Sequence, residues 1–345
     1  KVMQNLETEF KQWIARQLGT QDYLFEPLQG DASFRTYSRI KHADKSYIAM
    51  LAPPAKERTD AFVAIANTWK QYGLQVPRIL GWEAQQGFVL LSDFGNTLLL
   101  DLLTPESMEG FYLQAMQTIT LIQQVPAGEY NLPTFDEAYV RVELGLFHDW
   151  FLNKLLQQDI SVHHAHLLEQ VSKDLVHNFI SQPQKTVHRD YHSRNLMVLN
   201  DGTLGVIDFQ DAMKGPITYD LVSLLKDCYI TWPSIEVNRL VNHFFEKYVK
   251  DEISSSVDFV QFLQWFDWVG LQRHLKVLGI FSRLKLRDNK PHYLQHLPRI
   301  MQYVLAVTSK YAAFADFHDY LQAEVLPAML AVMQEQNIGS KSKVA

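Results

Sequence analysis

The stretch Val187-His188-Arg189-Asp190-Tyr191-His192-Ser193-Arg194-Asn195-Leu196-Met197-Val198-Leu199-Asn200-Asp201-Gly202-Thr203-Leu204-Gly205-Val206-Ile207-Asp208-Phe209 carries most of the information in this chain. Residues 196–199 and 204–207 are apolar runs on either side of an Asn-Asp-Gly-Thr turn, the chemistry of a β-hairpin. A hairpin brings the chain back to its starting point, so Asn195 at one base is expected close to Asp208 at the other. Asp190, five residues before Asn195, approaches the same point from the preceding loop. Two carboxylates and a carboxamide make an all-oxygen site, which suits Mg²⁺. Taken singly, each of the three is more simply a turn or cap residue on a polar surface hairpin.

Upstream of the hairpin the texture is mixed. Leu6, Phe10, Trp13, Ile14 and Leu18 recur at helical spacing, and strand-like segments follow at 34–40, 46–51, 79–83 and 87–92. A helix is predicted over 58–72, where Phe62, Ile65, Ala66 and Trp69 share a face and Gly73 ends it. From about residue 101 to 335 the pattern is helical except at 184–212. The expectation is an α+β chain with a small β-rich N-lobe, 1–94, and a larger, mostly helical C-lobe, 95–345.

The 345 residues are 47% hydrophobic, enough for a packed core and too much for a disordered chain. With 32 Lys and Arg against 38 Asp and Glu, the net charge of −6 argues against a nucleic-acid partner. The single cysteine, Cys228, excludes an intramolecular disulfide and points to a reducing, cytoplasmic location. No apolar run approaches the ~20 residues of a membrane span, so no membrane partner is expected. The absence of Met at position 1 reads as a trimmed chain, and 337–345 as a polar tail.

The ordered set His-x-Asp-x₄-Asn, strand, turn, strand, Asp-Phe has the order and spacing of a kinase catalytic loop and metal loop. In this the chain resembles the aminoglycoside phosphotransferase-like, or choline kinase-like, family of small-molecule kinases. Gly215-Pro216-Ile217-Thr218-Tyr219-Asp220-Leu221 is similar to that family's Gly-Pro…Tyr-Asp-Leu segment. Gln210 replaces the glycine of Asp-Phe-Gly and no Ala-Pro-Glu follows, which sets protein kinases themselves aside. The resemblance implies the protein-kinase-like two-lobed fold, ATP and Mg²⁺.

It also implies roles. Asp190 accepts or orients the proton of the attacking hydroxyl, His188 supports its loop, Asn195 and Asp208 hold the metal, and Asp220 braces the loop. Gly30, Ser33 and Arg35 lie in the phosphate-covering turn, and Ser92 and Phe94 in the hinge that binds adenine. One departure stands out: the second strand has Met50 where kinases carry the phosphate-binding lysine. Arg35, Arg39 or Lys56 are left to supply that charge, Arg35 first because it directly follows the turn. Glu57, at the start of the 58–72 helix, is the candidate for the helical glutamate.

Segments 30–35, 50–54, 76–80 and 270–281 narrow the resemblance to bacterial anomeric kinases of N-acetylmuramate and N-acetylglucosamine, which serve cell-wall recycling and feed UDP-sugar synthesis. Residues 258–315 hold 8 Lys and Arg against 3 Asp. On a helix through 265–287, Arg273, Lys276, Arg283 and Arg287 fall within roughly 80° of one another. Such a stripe suits a lactyl carboxylate, whereas a polycationic aminoglycoside needs acidic walls. Arg273, His274 and Lys276 are therefore candidate substrate residues, with Tyr293 and Trp268 as further sugar contacts, although each is as readily a solvated face or a core residue. The alternatives are a kinase for aminoglycosides or for choline- or thiamine-like alcohols, and a nucleotide-binding scaffold without turnover. His163-His164-Ala165-His166 reads as a polar loop rather than a metal site, and Cys228 as buried and inert.

Overall fold

The computed structural model describes residues 2–28, 34–252 and 257–336. In chain order the elements are α1 (Val2–Leu18), β1 (Leu24–Pro27), β2 (Thr36–His42), β3 (Lys45–Leu51), α2 (Thr59–Gln71), β4 (Ile79–Glu83) and β5 (Phe88–Ser92). There follow α3 (Leu99–Leu102), α4 (Met108–Gln124), α5 (Glu137–Leu146), α6 (Val162–Ser181), β6 (Gln184–Val187), β7 (Leu196–Val198), β8 (Leu204–Val206) and β9 (Met213–Pro216). Then come α7 (Tyr219–Leu225), α8 (Ser234–Phe244), α9 (Phe259–Leu286), α10 (Leu297–Lys310), α11 (Ala315–Tyr320) and α12 (Leu326–Glu335). No described helix is long and apolar enough to cross a membrane.

Contacts divide the chain into two compact units, 1–132 with 193–212, and 133–192 with 213–345. This differs from a single boundary at residue 94. The hairpin that interrupts the helical pattern is stitched to the sheet-bearing unit. Val198 N–H donates to Thr97 at 2.9 Å, Leu100 N–H to Ser193 at 3.2 Å and Val206 N–H to Gln75 at 2.7 Å. A segment distant in sequence thus adds backbone hydrogen bonds that hydrophobic periodicity does not encode.

The first unit is built on an antiparallel sheet of order β1-β2-β3-β5-β4. Ala43, at a φ of 53°, reverses the chain between β2 and β3. Phe10, Trp13 and Ile14 of α1 pack on Ile40, Ala49, Phe88 and Leu90 from one face of the sheet. Each large side chain so buried contributes about 1.5–3 kcal/mol. The edge strand β1 was not expected, since it is short and ends in Pro27, a residue confined to strand edges and ends.

The second unit centres on α9, 28 residues long and capped at its start by the Asp258 side chain. Its stretch 269–279 is buried on every side, so the helix has no solvated stripe there. The close approach of its neighbour is set by Gly279, where a Cβ would lie 2.3 Å from the backbone of Leu146. Beyond Leu146, α5 continues as a π-helical stretch, Phe147–Leu155. The histidines at 163, 164 and 166 start α6 rather than a loop, because Ser161 caps the helix on the N–H of His164. His164 packs on Tyr320, ring centroids 4.1 Å apart.

Candidate active site

The loop after β6 belongs to the second unit as far as His192. Asp220, on the first turn of α7 and fully buried, receives its backbone. One carboxylate oxygen accepts the N–H of His188 at 2.7 Å and the other that of Arg189 at 3.0 Å. His188 is itself buried, and its Nδ1 accepts the N–H of Asp190 at 3.2 Å. Arg189 takes a φ of 79°, a conformation that non-glycine residues seldom hold without such support. Its carbonyl accepts Arg273 at 2.8 Å and the Ser223 hydroxyl at 3.3 Å.

The loop thereby presents Asp190, whose side chain is 38% exposed, to solvent on one side and to Arg273 at 3.5 Å on the other. Burial alone raises a carboxyl pKa. Here Arg273, then Lys276 and Arg189, outweigh it and hold Asp190 well below the usual carboxylate range. Lys276 and Arg189 are matched in turn by Glu143 on α5, at 3.0 and 2.9 Å. Gln272 donates to the other oxygen of Glu143 at 3.1 Å, and the Tyr219 hydroxyl accepts both Arg273 and Lys276. Asp220 has its pKa pushed up to about 6, by burial, against the pull of His188, the two loop N–H groups and Arg273.

The first unit carries the remaining candidates. Ile207 N–H donates to the Asn195 carbonyl at 3.1 Å, closing the base of the β7–β8 hairpin. The Asn195 amide lies 3.4 Å from Asp208 Oδ2. Asp208 has a φ of 59°, and Phe209 beside it anchors that turn against Phe62 and Trp69 of α2, with ring centroids 5.0 and 5.7 Å away. Gln210 donates to Asp208 Oδ1 at 2.5 Å, and Arg35 Nη1 stands 3.8 Å from the same oxygen. The Asn195 carboxamide, whose Nδ2 faces Asp208 here, and the half-exposed Asp208 carboxylate each carry hard oxygen donors, and this donor set fits Mg²⁺ with its preference for few protein ligands.

The segment read as an adenine hinge is held by Arg39. That buried guanidinium donates to Asp93 at 2.6 Å, Asn96 at 2.5 Å and the Gly95 carbonyl at 3.0 Å. The Ser46 hydroxyl also donates to Asp93. The Ser92 N–H donates to the Arg78 carbonyl and its hydroxyl accepts the Arg78 N–H, so Ser92 closes a turn with Arg78. Phe94 lies on Gly205 of β8, where a Cβ would come 2.6 Å from the ring. Gly30 and Ser33 lie outside the described residues.

The three substrate candidates lie inside the second unit. Arg273 and Lys276 are buried and already engaged by Asp190 and Glu143, not displayed to a ligand carboxylate. His274 is fully buried, stacked on Tyr303 at 4.5 Å and bonded to the Lys226 carbonyl; burial pushes its pKa down to about 3, so it is neutral. Arg287, also in the expected stripe, pairs with Asp288 at 2.8 Å. Trp268 packs on Phe314 and Tyr311, and Tyr293 on Phe281. Cys228 is buried, its thiol pushed up to about 12 by burial. Glu143 escaped the sequence reading, and Tyr219 entered it only as part of its motif. The signal for Glu143 was a lone carboxylate on the apolar face formed by Val140, Leu144 and Phe147.

Each unit thus carries part of the pattern read in the sequence: the second a braced, ionised Asp190, the first an Asn–Asp pair at the base of a hairpin. Residues 25–254 match the phosphotransferase enzyme family, and the chain belongs to it. More particularly, it is 38% identical over 295 residues to the N-acetylmuramate/N-acetylglucosamine kinase of Pseudomonas aeruginosa, spanning 86% of this chain and 87% of that one. The kinase of the same name from Neisseria meningitidis is 35% identical over 320 residues, 91% and 95% of the two chains. Among solved structures, an ethanolamine kinase of Plasmodium vivax superposes with a TM-score of 0.60 at 12% identity, covering 84% of this chain and 83% of that one. The ADP-bound aminoglycoside phosphotransferase APH(2'')-Ib gives 0.53 at 12%, covering 86% and 97%. At such identities these two speak for the fold alone.

Proposed function

We propose that this phosphotransferase moves the γ-phosphoryl group of ATP to the anomeric hydroxyl of N-acetylmuramate or N-acetylglucosamine, acting with Mg²⁺ in the cytoplasm. The kinase relatives, matched over most of both chains, support the substrate class. The basic helix does not, since its inner members are consumed by Asp190 and Glu143. The observation that carries the reaction class is the Asn195–Asp208 pair at 3.4 Å, on the same continuous segment as the braced Asp190.

In this reading Asp190 receives the sugar hydroxyl as a hydrogen-bond donor and aims its oxygen at phosphorus. A carboxylate held so far below its ordinary pKa is a weak base, so it orients the hydroxyl and takes the proton late, which suits a loose transition state. Asn195 and Asp208 are the residues that would hold Mg²⁺, which supplies charge neutralisation along the triphosphate. Arg35 is positioned to add a fixed positive charge next to Asp208. The first unit, with Phe94 and the segment clamped by Arg39, is assigned to the nucleotide. Incubation of the protein with MgATP and N-acetylmuramate, N-acetylglucosamine, kanamycin or choline tests the proposal. Phosphorylation of the two sugars is expected, and turnover of kanamycin or choline alone would overturn the substrate assignment.

A further inference from the structure

The strand register locates the missing lysine. Tyr37 of β2 pairs with Met50 of β3, which pairs with Val89 of β5. Directly opposed residues share a face of the sheet, and their neighbours in sequence point the other way. Ala49 belongs to the cluster on α1, so Tyr37 and Met50 face the opposite side. Met50 is 1% exposed there and brings no charge. Of the three cations that the sequence offers in its stead, Arg39 is spent on Asp93, Asn96 and Gly95, and Lys56 lies over the Phe34 ring at 4.0 Å.

Arg35 is different. It stands two residues before Tyr37, has a side chain 9% exposed, and hydrogen-bonds the Tyr37 side chain. Its Nε and Nη2 reach Glu57 Oε2 at 3.2 and 3.1 Å, while Nη1 faces Asp208 at 3.8 Å. Glu57 lies before α2 rather than on it, since that helix begins at Thr59. Among the described residues Arg35 is the one cation paired with either Glu57 or Asp208. A kinase pairs its strand lysine with a helical glutamate, beside the metal-binding aspartate. Here the same three charges meet, with the cation supplied from the entry to β2.

We propose that Arg35 and Glu57 replace the lysine–glutamate pair: Arg35 binds the α- and β-phosphates of the nucleotide, and Glu57 with Tyr37 positions its guanidinium. This rests on the phosphoryl-transfer reading above. The planar guanidinium donates along two edges, one to Glu57 and one toward phosphate, which a lysine at position 35 does only in part.

Isothermal titration of the folded protein with ATP, ADP and adenosine tests the pair. In Arg35→Ala, affinity for ATP and ADP falls about 10- to 100-fold while that for adenosine is kept, because only the charge-assisted contact is lost. Glu57→Gln, which still accepts an N–H, loses less than Glu57→Ala in both nucleotide affinity and KM for ATP. Adding Met50→Lys to Arg35→Ala restores part of the ADP affinity. A folded Arg35→Ala protein that binds ADP as the parent does overturns the proposal, and so does equal loss for ADP and adenosine. In either case the parent's turnover leaves the phosphoryl-transfer reading standing. A parent protein that binds no nucleotide removes both.

Discussion

Asp220 accepts the backbone N–H of His188 at 2.7 Å, deep in the second unit and 32 residues further along the chain. Its second oxygen takes the N–H of Arg189, so a single side chain satisfies two consecutive buried donors. These bonds fix the left-handed turn at Arg189 that aims Asp190 outward. Asp220→Ala leaves both donors unsatisfied, at a cost of about 1–3 kcal/mol each. The expected result is a lower melting temperature and a fall in kcat of about 10-fold or more, with KM for ATP little changed. Unaltered kcat in a folded variant would show that the loop holds its shape without the brace.

The same carboxylate sets a pH dependence. Its folded pKa of about 6 lies above the ordinary value, so the folded state binds that proton more tightly than the unfolded chain does. From pH 7 down toward about 4 Asp220 therefore adds stability as it protonates. Asp190 has the opposite sign: its contribution is complete above the ordinary carboxylate range and is lost only in stronger acid. Protonated Asp220 can no longer accept well on both oxygens, so kcat is expected to decline through about pH 6 while Asp220's own effect on the melting temperature is favourable. Asp220→Asn should be slower and lack that acid limb. A limb of unchanged position in the variant would assign it to another group.

The hairpin, its turn and the proximity of Asn195 to Asp208 were legible in advance, because turn chemistry and alternating apolar runs are local properties. So were α1, α2 and four of the five strands of the sheet. What lay hidden depends on long-range partners. The stripe of Arg273 and Lys276 was real in angle, yet α9 is buried all round there, and each charge answers a carboxylate more than 80 residues away in sequence. His274 misled in the same way, since its neighbours on the helix are legible and the Tyr303 ring stacked on it is not. The unit boundary escaped because Thr97, Gln75 and Ser193 enter through backbone hydrogen bonds that any side chain allows.

Arg273 separates the positioning role from the substrate role first assigned to it. If it met the lactyl carboxylate, its removal would harm N-acetylmuramate and spare the neutral N-acetylglucosamine. The contacts to Arg189 and Asp190 instead predict that Arg273→Met lowers kcat for both sugars alike and raises the pKa of Asp190, which loses its main cation. The accompanying loss of stability should stay below the ~3–5 kcal/mol of a fully buried pair, because Asp190 keeps partial contact with water. Kinetic ratios for the two sugars in parent and variant decide the matter.

Two glycines of α9 should respond to the same substitution with opposite signs. In a helix interior, alanine is intrinsically better than glycine by about 1 kcal/mol. At Gly270 a Cβ would meet Val222 at 3.6 Å and Lys226 at 3.7 Å, ordinary packing distances, so Gly270→Ala is expected to raise the melting temperature slightly. At Gly279 the same atom would fall 2.3 Å from the carbonyl carbon and oxygen of Leu146, backbone atoms that cannot turn aside. Moving α9 away from α5 there costs about 1–3 kcal/mol or more. It also acts on the chemistry, because Lys276 and Glu143 each lie three residues before the point of contact and are joined at 3.0 Å. Gly279→Ala should therefore lose both thermal stability and kcat, whereas Gly270→Ala loses neither. Equal melting temperatures for the two variants would mean that the two helices are not held in register by this contact.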